Sequence, residues 1–156
     1  MAKSTVVTFV MFNTAGQLMM QVRNHVSAEG KAIGSPGKLS LFGARHDGGA
    51  VDVPAVVSQE LGINVTAADI QFVGHVLDDT IKDRVNLVHK ITVPYDSALV
   101  EQNPAGKDLM EKLAAAQGMG VVAVGKADLA AAIEAGDVSE ISVQIMKEHR
   151  GLKPKN

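Results

Sequence analysis

The sequence contains no cysteine and no tryptophan, and its four phenylalanines and one tyrosine make up only 3% of the 156 residues. Without cysteine the chain can form no disulfide, no thiolate zinc site and no cysteine nucleophile. It also lacks an excess of basic residues, since 15 Lys and Arg stand against 17 Asp and Glu for a formal net charge of -2. That balance argues against a protein that binds nucleic acid through bulk electrostatics.

What the chain does contain is enough apolar material for a packed core, because 46% of its residues are hydrophobic. Its length is typical of one domain, which we expect to cover residues 1–156. The apolar run Thr5–Phe12 is too short to cross a bilayer, and no small-residue cleavage pattern follows it. We therefore expect a cytoplasmic protein that does not contact membranes.

Apolar runs and turn residues predict a strand-rich first half and a helical second half. Asn13–Gly16 is a turn signal, so the first two predicted strands are expected to form a hairpin. Pro54 fits only the first turn of the predicted helix in this half, and Gly62 fits its end. The predicted strands cover 4–12, 17–23, 39–42, 70–77, 84–93 and 121–124, the predicted helices cover 51–61, 106–117, 126–135 and 138–149, and the predicted loops include 24–38 and 43–49. This order indicates an α+β fold, an α/β/α sandwich.

Four segments resemble the Nudix hydrolase superfamily: Gly37–Gly43, Ala55–Ile63, Phe72–Asp79 and Val85–His89. The resemblance extends over roughly residues 5 to 145, in element order as much as in motif. It implies a sandwich with a mixed β-sheet. For active members it also implies Mg²⁺- or Mn²⁺-dependent cleavage of a nucleoside diphosphate linked to another moiety.

The family's motif, G-x5-E-x7-R-E-U-x-E-E-x-G-U, is eroded in this chain. Glu60 matches its last Glu, and Asp47 then falls at its first Glu position. Ala55, Val56 and Gln59 stand where the motif has Arg, Glu and Glu. Carboxylates at i, i+3 and i+4 share one helix face and can hold Mg²⁺ against a pyrophosphate, but here that face carries one carboxylate and one amide.

Two functions remain open at this point. The first is a hydrolase of nucleoside diphosphate derivatives with a rearranged site, and the second is a catalytically inactive binding or protein-interaction module. The resemblance makes Glu60 and Asp47 the catalytic candidates, and Glu60, Gln59 and Asp79 the metal-ligand candidates. Asp47 and Asp79 are also ordinary turn residues, and Glu60 is also an ordinary exposed charge at a helix end.

Substrate-binding candidates come from residues that can contact phosphate or exchange protons. Arg23 and Arg45 carry planar guanidinium groups that match phosphate oxygens, and His46 and His89 can donate or accept hydrogen bonds. The expected partner is a nucleotide-type small molecule, and a homodimer is a further expectation from the fold.

Overall fold

The computed structural model describes residues 4–23, 37–46, 51–61, 65–93 and 118–154, and for residues 22, 23, 60, 61 and 118–121 it describes the backbone only. The described strands are β1 (Ser4–Val10), β2 (Leu18–Arg23), β3 (Leu39–Ser40), β4 (Phe42–His46), β5 (Ile70–Leu77), β6 (Arg84–Ile91) and β7 (Gly118–Val124). The described α-helices are α1 (Val53–Leu61), α2 (Lys126–Glu134) and α3 (Glu140–Glu148), and short 3-10 turns cover Ala67–Asp69 and Arg150–Leu152.

The strands form two sheets. The larger has the order β4-β1-β6-β5 and is mixed, because β1 runs parallel to β6 while both outer pairs are antiparallel. The smaller has the order β3-β2-β7 and is antiparallel throughout. The expected α+β architecture with a mixed sheet is therefore confirmed.

Side chains of β1 point alternately to the two faces of the larger sheet, as successive residues of a strand must. Val7 and Phe9 pack in one apolar cluster with Val57 of α1. Val10 packs in the other cluster with Ile145 of α3. We call these faces the α1 side and the α3 side. The sheet thus lies between two helices, which makes the α/β/α sandwich.

The described backbone departs from the predicted strands in two places. β1 and β2 are joined by the turn at Asn13–Gly16, but they lie in different sheets and pair only through a single bridge, Phe12 to Leu18. The expected hairpin is therefore wrong, because β2 finds its partners in β3 and β7. The predicted strand 39–42 is split, since β3 joins the smaller sheet and β4 joins the larger one.

The other predicted elements are confirmed apart from their ends, where they fall on described residues. The predicted loop 43–49 is wrong at its start, because residues 43–46 belong to β4. Pro54 does lie in the first turn of α1, and Asp52 Oδ1 accepts a hydrogen bond from Ala55 N at 3.2 Å there. The predicted helix 106–117, the loop 24–36 and Gly62 lie outside the described residues. No helix in the described ranges is long and apolar enough to cross a membrane.

Gly74 lies where the side chain of His149 closely approaches the backbone of β5. The register between β5 and β6 shifts between Phe72 and Gly74, which marks a β-bulge. A Cβ on Gly74 would lie 2.9 Å from Cε1 of His149, the residue that follows α3. The imidazole of His149 therefore packs against the β5 backbone, and a side chain at position 74 would force that ring to shift.

We expect Gly74→Ala to destabilise the protein by about 1–3 kcal/mol, because the new methyl group overlaps the His149 ring. Removing the ring with His149→Ala should relieve the overlap, so the double variant should cost less than the sum of the two single changes. Thermal or urea unfolding of the four proteins measures this coupling.

Gly151→Ala is the matched control, because an added Cβ there meets no atom within 4 Å. It should leave stability nearly unchanged. Strictly additive effects of the changes at positions 74 and 149 would contradict the contact.

Candidate functional site

A polar cavity of about 340 Å³ opens on the α3 side of the larger sheet. Its floor comes from β1 and β6, one wall comes from β4, and the opposite wall comes from α3. We call it the β1–α3 cavity. Its volume lies at the lower end of the range found for small-molecule sites, and the lining is mainly polar.

The floor of the β1–α3 cavity carries two buried polar side chains from neighbouring parallel strands. Thr8 Oγ1 donates to Asn86 Oδ1 at 3.3 Å, and Asn86 Nδ2 donates to the Val76 carbonyl at 3.4 Å. Thr8 is 4% exposed and Asn86 is 3% exposed. Burial of an amide and a hydroxyl is tolerated because each has a partner, so the two groups are held in one orientation.

Three buried serine hydroxyls connect β3 to α3 beside the cavity. Ser142 Oγ accepts a hydrogen bond from Leu41 N at 3.0 Å and lies 2.6 Å from Ser139 Oγ, its donor. Ser40 Oγ lies 3.1 Å from Ser139 Oγ. Ser40 and Ser142 line the cavity. The network ties the chain, where it passes from β3 to β4, to the start of α3.

Two arginines and one aspartate carry the charge of the cavity. Arg84 is half-buried, and its Nε donates to Ser4 Oγ at 3.2 Å, which fixes one edge of the guanidinium. Arg45 is exposed at the rim. Asp78 Oδ1 accepts from Thr80 N, Thr80 Oγ1 and Ile81 N, so that oxygen is engaged in holding the β5–β6 turn. The cavity therefore presents cationic donors suited to an anion such as phosphate.

The α1 side of the sheet carries a row of rings that runs across all four strands. Pairing places Phe42 beside Phe9, Phe9 beside His89, and His89 beside Phe72. The ring centroids of Phe9 and Phe42 are 5.9 Å apart, and those of His89 and Phe72 are 5.2 Å apart. The row is buried from Phe42 to His89 and ends at Phe72, which is 52% exposed.

His46 and His89 are thus separated from Arg45 by the sheet. Arg45 pairs with Val6 and lines the β1–α3 cavity, whereas His46 is the next residue of β4 and pairs with Thr5. His46 Nε2 is buried and has no hydrogen-bond partner among the described residues. Of the three predicted substrate-binding residues whose side chains are described, only Arg45 lines the cavity. Arg23 lies at the end of β2, where the backbone alone is described.

The predicted catalytic and metal-binding residues are not gathered in the described part of the chain. Gln59 is exposed on α1, Glu60 is next to it with only its backbone described, and Asp47 lies outside the described residues. Asp79 lies on the α3 side, where its N–H donates to Gln144 Oε1 at 3.2 Å. Among described residues, no group of three or more His, Cys, Asp or Glu could hold a metal ion.

Val56 stands at one of the positions where the motif has a carboxylate. This side chain is half-buried and packs against the cluster that α1 forms with the sheet. A glutamate at that position would place a charge against apolar neighbours. Gln59, in contrast, is exposed and could be replaced by glutamate without such a cost.

Sequence reasoning missed most of the residues that line the cavity. Thr8 and Asn86 are polar residues inside otherwise apolar runs, and their shared face follows only from the parallel pairing of β1 with β6. Arg84 was assigned to the start of a strand and given no role. A polar residue within each central strand is the signal that the sequence offers. It does not predict a shared cavity, because the register that brings Thr8 and Asn86 to one face is unknown from the sequence.

The architecture is similar to that of two solved structures. A mutT/nudix family protein from Listeria innocua matches with a TM-score of 0.54 at 16% identity, over 96% of this chain and 90% of that one. DR0079 from Deinococcus radiodurans matches with a TM-score of 0.58 at 16% identity, over 86% of this chain and 75% of that one. No family model and no curated protein matches the sequence. The chain therefore has a Nudix-like fold, as the sequence resemblance implied.

His89 gives a testable link between burial and pH. Burial lowers the pKa of His89 below 6.5, although the hydrogen bonds to the backbone of Leu87 and Thr8 oppose that shift. Its Nδ1 lies 2.9 Å from the Leu87 carbonyl. As the pH falls through 6.5, the unfolded chain takes up a proton that the folded chain resists, so stability should fall.

We expect His89→Phe to reduce the loss of stability between about pH 7.5 and pH 5, because the variant has no proton to take up there. Each unit by which the pKa is lowered corresponds to about 1.4 kcal/mol. Urea unfolding of both proteins across this range measures the effect. Equal pH dependence in the two proteins would contradict it.

Proposed function

We propose that the protein binds a nucleoside diphosphate derivative in the β1–α3 cavity. The observation that carries this proposal is that two arginines and several buried, hydrogen-bonded polar side chains line the same cavity of about 340 Å³. The guanidinium groups of Arg45 and Arg84 suit the diphosphate, because planar donors match phosphate oxygens in pairs. The Thr8 hydroxyl donates its proton to Asn86 and keeps an oxygen that can accept a hydrogen bond from the sugar or base.

The Nudix-like fold supports this proposal but does not identify the ligand. The Listeria innocua structure is described as a mutT/nudix family protein, and at 16% identity its activity does not transfer to this chain. The chemistry of the lining is what favours a nucleotide over an apolar ligand, since the cavity presents charges and hydroxyls rather than an apolar wall.

Metal-dependent hydrolysis is the second candidate function, because Glu60 lies on α1 next to the exposed Gln59. The described side chains do not fit a Mg²⁺ or Mn²⁺ site, since no three acids or histidines come together among them. An active enzyme would use Glu60 with Asp47 or with the acids of Asp78–Asp83, and the substrate's own phosphates would supply further oxygens. We therefore propose ligand binding as the primary function and assign no step to a metal.

Arg84→Gln should weaken binding of ADP-ribose or a nucleotide sugar by about tenfold or more, because it removes a charged hydrogen-bond donor to phosphate. Titration calorimetry with EDTA and again with Mg²⁺ measures the affinity in each condition. Binding should persist in EDTA. Arg150→Gln, which changes an exposed arginine outside the cavity, should bind like the unchanged protein. Equal affinity of Arg84→Gln and the unchanged protein would remove this cavity as the site.

Glu60→Gln separates binding from hydrolysis. If the protein is a hydrolase that uses Glu60, turnover of ADP-ribose, nucleotide sugars or dinucleotides with Mn²⁺ should fall by orders of magnitude, because a neutral amide cannot replace the carboxylate. If the protein only binds, neither protein releases product and both bind equally. Glu134→Gln is the matched control, because it removes the same charge from an exposed residue at the end of α2. Metal-dependent turnover that Glu60→Gln leaves intact would remove Glu60 from the mechanism.

A further inference from the structure

A second cavity, of about 210 Å³, lies beyond the carboxyl ends of the two parallel strands β1 and β6. We call it the Lys90 cavity. It is lined by Lys90 and Thr92 from the end of β6, by Phe12 and Asn13 after β1, and by Gly151 and Lys153 near the C-terminus. The edge of a sheet where parallel strands end is where ligands of open α/β sheets usually bind.

Lys90 is held in place by a ring. Its Nζ lies 5.6 Å from the centroid of Phe12, which is within the distance for a cation–π interaction. Phe12 in turn packs against the apolar cluster on the α3 side. The contact with the packed Phe12 ring therefore restricts the positions of the Lys90 ammonium group.

The backbone at Lys153 is held in place by its neighbours in sequence. Leu152 is 2% exposed and Pro154 is also buried, so the backbone between them has a fixed position. The N–H of Lys153 donates to the Arg150 carbonyl at 3.3 Å. Lys90 and Lys153, from distant parts of the chain, thus line the same small cavity.

No Asp or Glu is among the described residues that line the Lys90 cavity. Neither Lys90 nor Lys153 forms an ion pair with another residue in the described ranges. Asp69 accepts a hydrogen bond from Thr92 through its main-chain carbonyl, while its carboxylate accepts from Thr66 N and Thr66 Oγ1. Two like charges that share one concavity repel each other, and an anion placed between them would remove that cost.

We propose that the Lys90 cavity binds a small dianion, in the form of a phosphate monoester that carries only a few carbon atoms. A phosphate monoester has close to two negative charges at pH 7, which matches the two lysines. At about 210 Å³ this cavity is smaller than the β1–α3 cavity, which favours a ligand smaller than the one proposed there. The ring of Phe12 and the main chain at Gly151 leave room for the short carbon portion. This site is separate from the β1–α3 cavity and does not depend on its function.

Titration calorimetry of the full chain with glycerol 3-phosphate tests the proposal, with glycerol as the uncharged match and inorganic phosphate as the second anion. Glycerol 3-phosphate should bind with an affinity that falls as salt is raised, and glycerol should not bind. Lys90→Met and Lys153→Gln should each weaken binding by about tenfold or more, because each removes a charged donor. Lys90→Arg should retain binding because it keeps the charge and the stacking on Phe12.

Lys147→Gln is the matched control, since this exposed lysine on α3 does not line the cavity. A similar loss in Lys147→Gln would show diffuse attraction instead of a site and would overturn the proposal, as would no binding of either anion. Loss in Arg84→Gln with retention in Lys153→Gln would also overturn it, by assigning the anion to the β1–α3 cavity. Lys153 is exposed, so its variant tests the site even if Lys90→Met does not fold.

Discussion

The parallel pairing of β1 with β6 runs in unbroken register from Ser4 beside Arg84 to Val10 beside Lys90. Both strands are central in the larger sheet, so their alternating side chains meet an apolar cluster on each face. The same register brings Thr8 and Asn86 together on the α3 side and Phe9 and His89 together on the α1 side. A shift of one residue would exchange the two faces and disperse both groups.

The two helices make the faces of the larger sheet different, because α1 covers one face and α3 covers the other. α1 packs with Val57 inward, and the hydroxyl of Ser58 closes its end by accepting from Val65 N and donating to the Val65 carbonyl, both at 3.1 Å. α3 packs with Ile145 inward, and Ser142 at its start reaches the backbone of Leu41. The polar cavity forms on the α3 side, where hydroxyls replace part of the apolar packing between helix and sheet. The β1–α3 cavity therefore lies on the opposite face of the larger sheet from the helix that carries the eroded motif.

Much of the fold could be predicted from the sequence, since β5 was predicted with its observed ends and α1 and α2 to within about two residues at each end. Those elements have strong local signals: alternating or continuous apolar runs, a proline in a first helical turn and alanine-rich helical stretches. The hairpin of β1 and β2 was wrong because strand pairing is decided by distant partners, and β2 pairs with β7 across about a hundred residues. The cavity could not be predicted for the same reason, because its residues come from β1, β3, β4, β6 and α3. Val56 was recognised as a departure from the motif, but its role in packing appears only in the structure.

The bulge at Phe72 and Gly74 has a consequence for how the molecule behaves beside other copies of itself. β5 is the outer strand of the larger sheet as described, and an outer strand offers unpaired N–H and carbonyl groups to any extended chain that approaches it. The bulge bends that row of groups, and the His149 ring on Gly74 fixes the bend from one side. An approaching strand could therefore match β5 over only part of its length. The bulge that makes room for the His149 ring thus also disfavours pairing of β5 with a strand of another molecule. That matters because β5 carries the exposed apolar side chains Phe72 and Leu77.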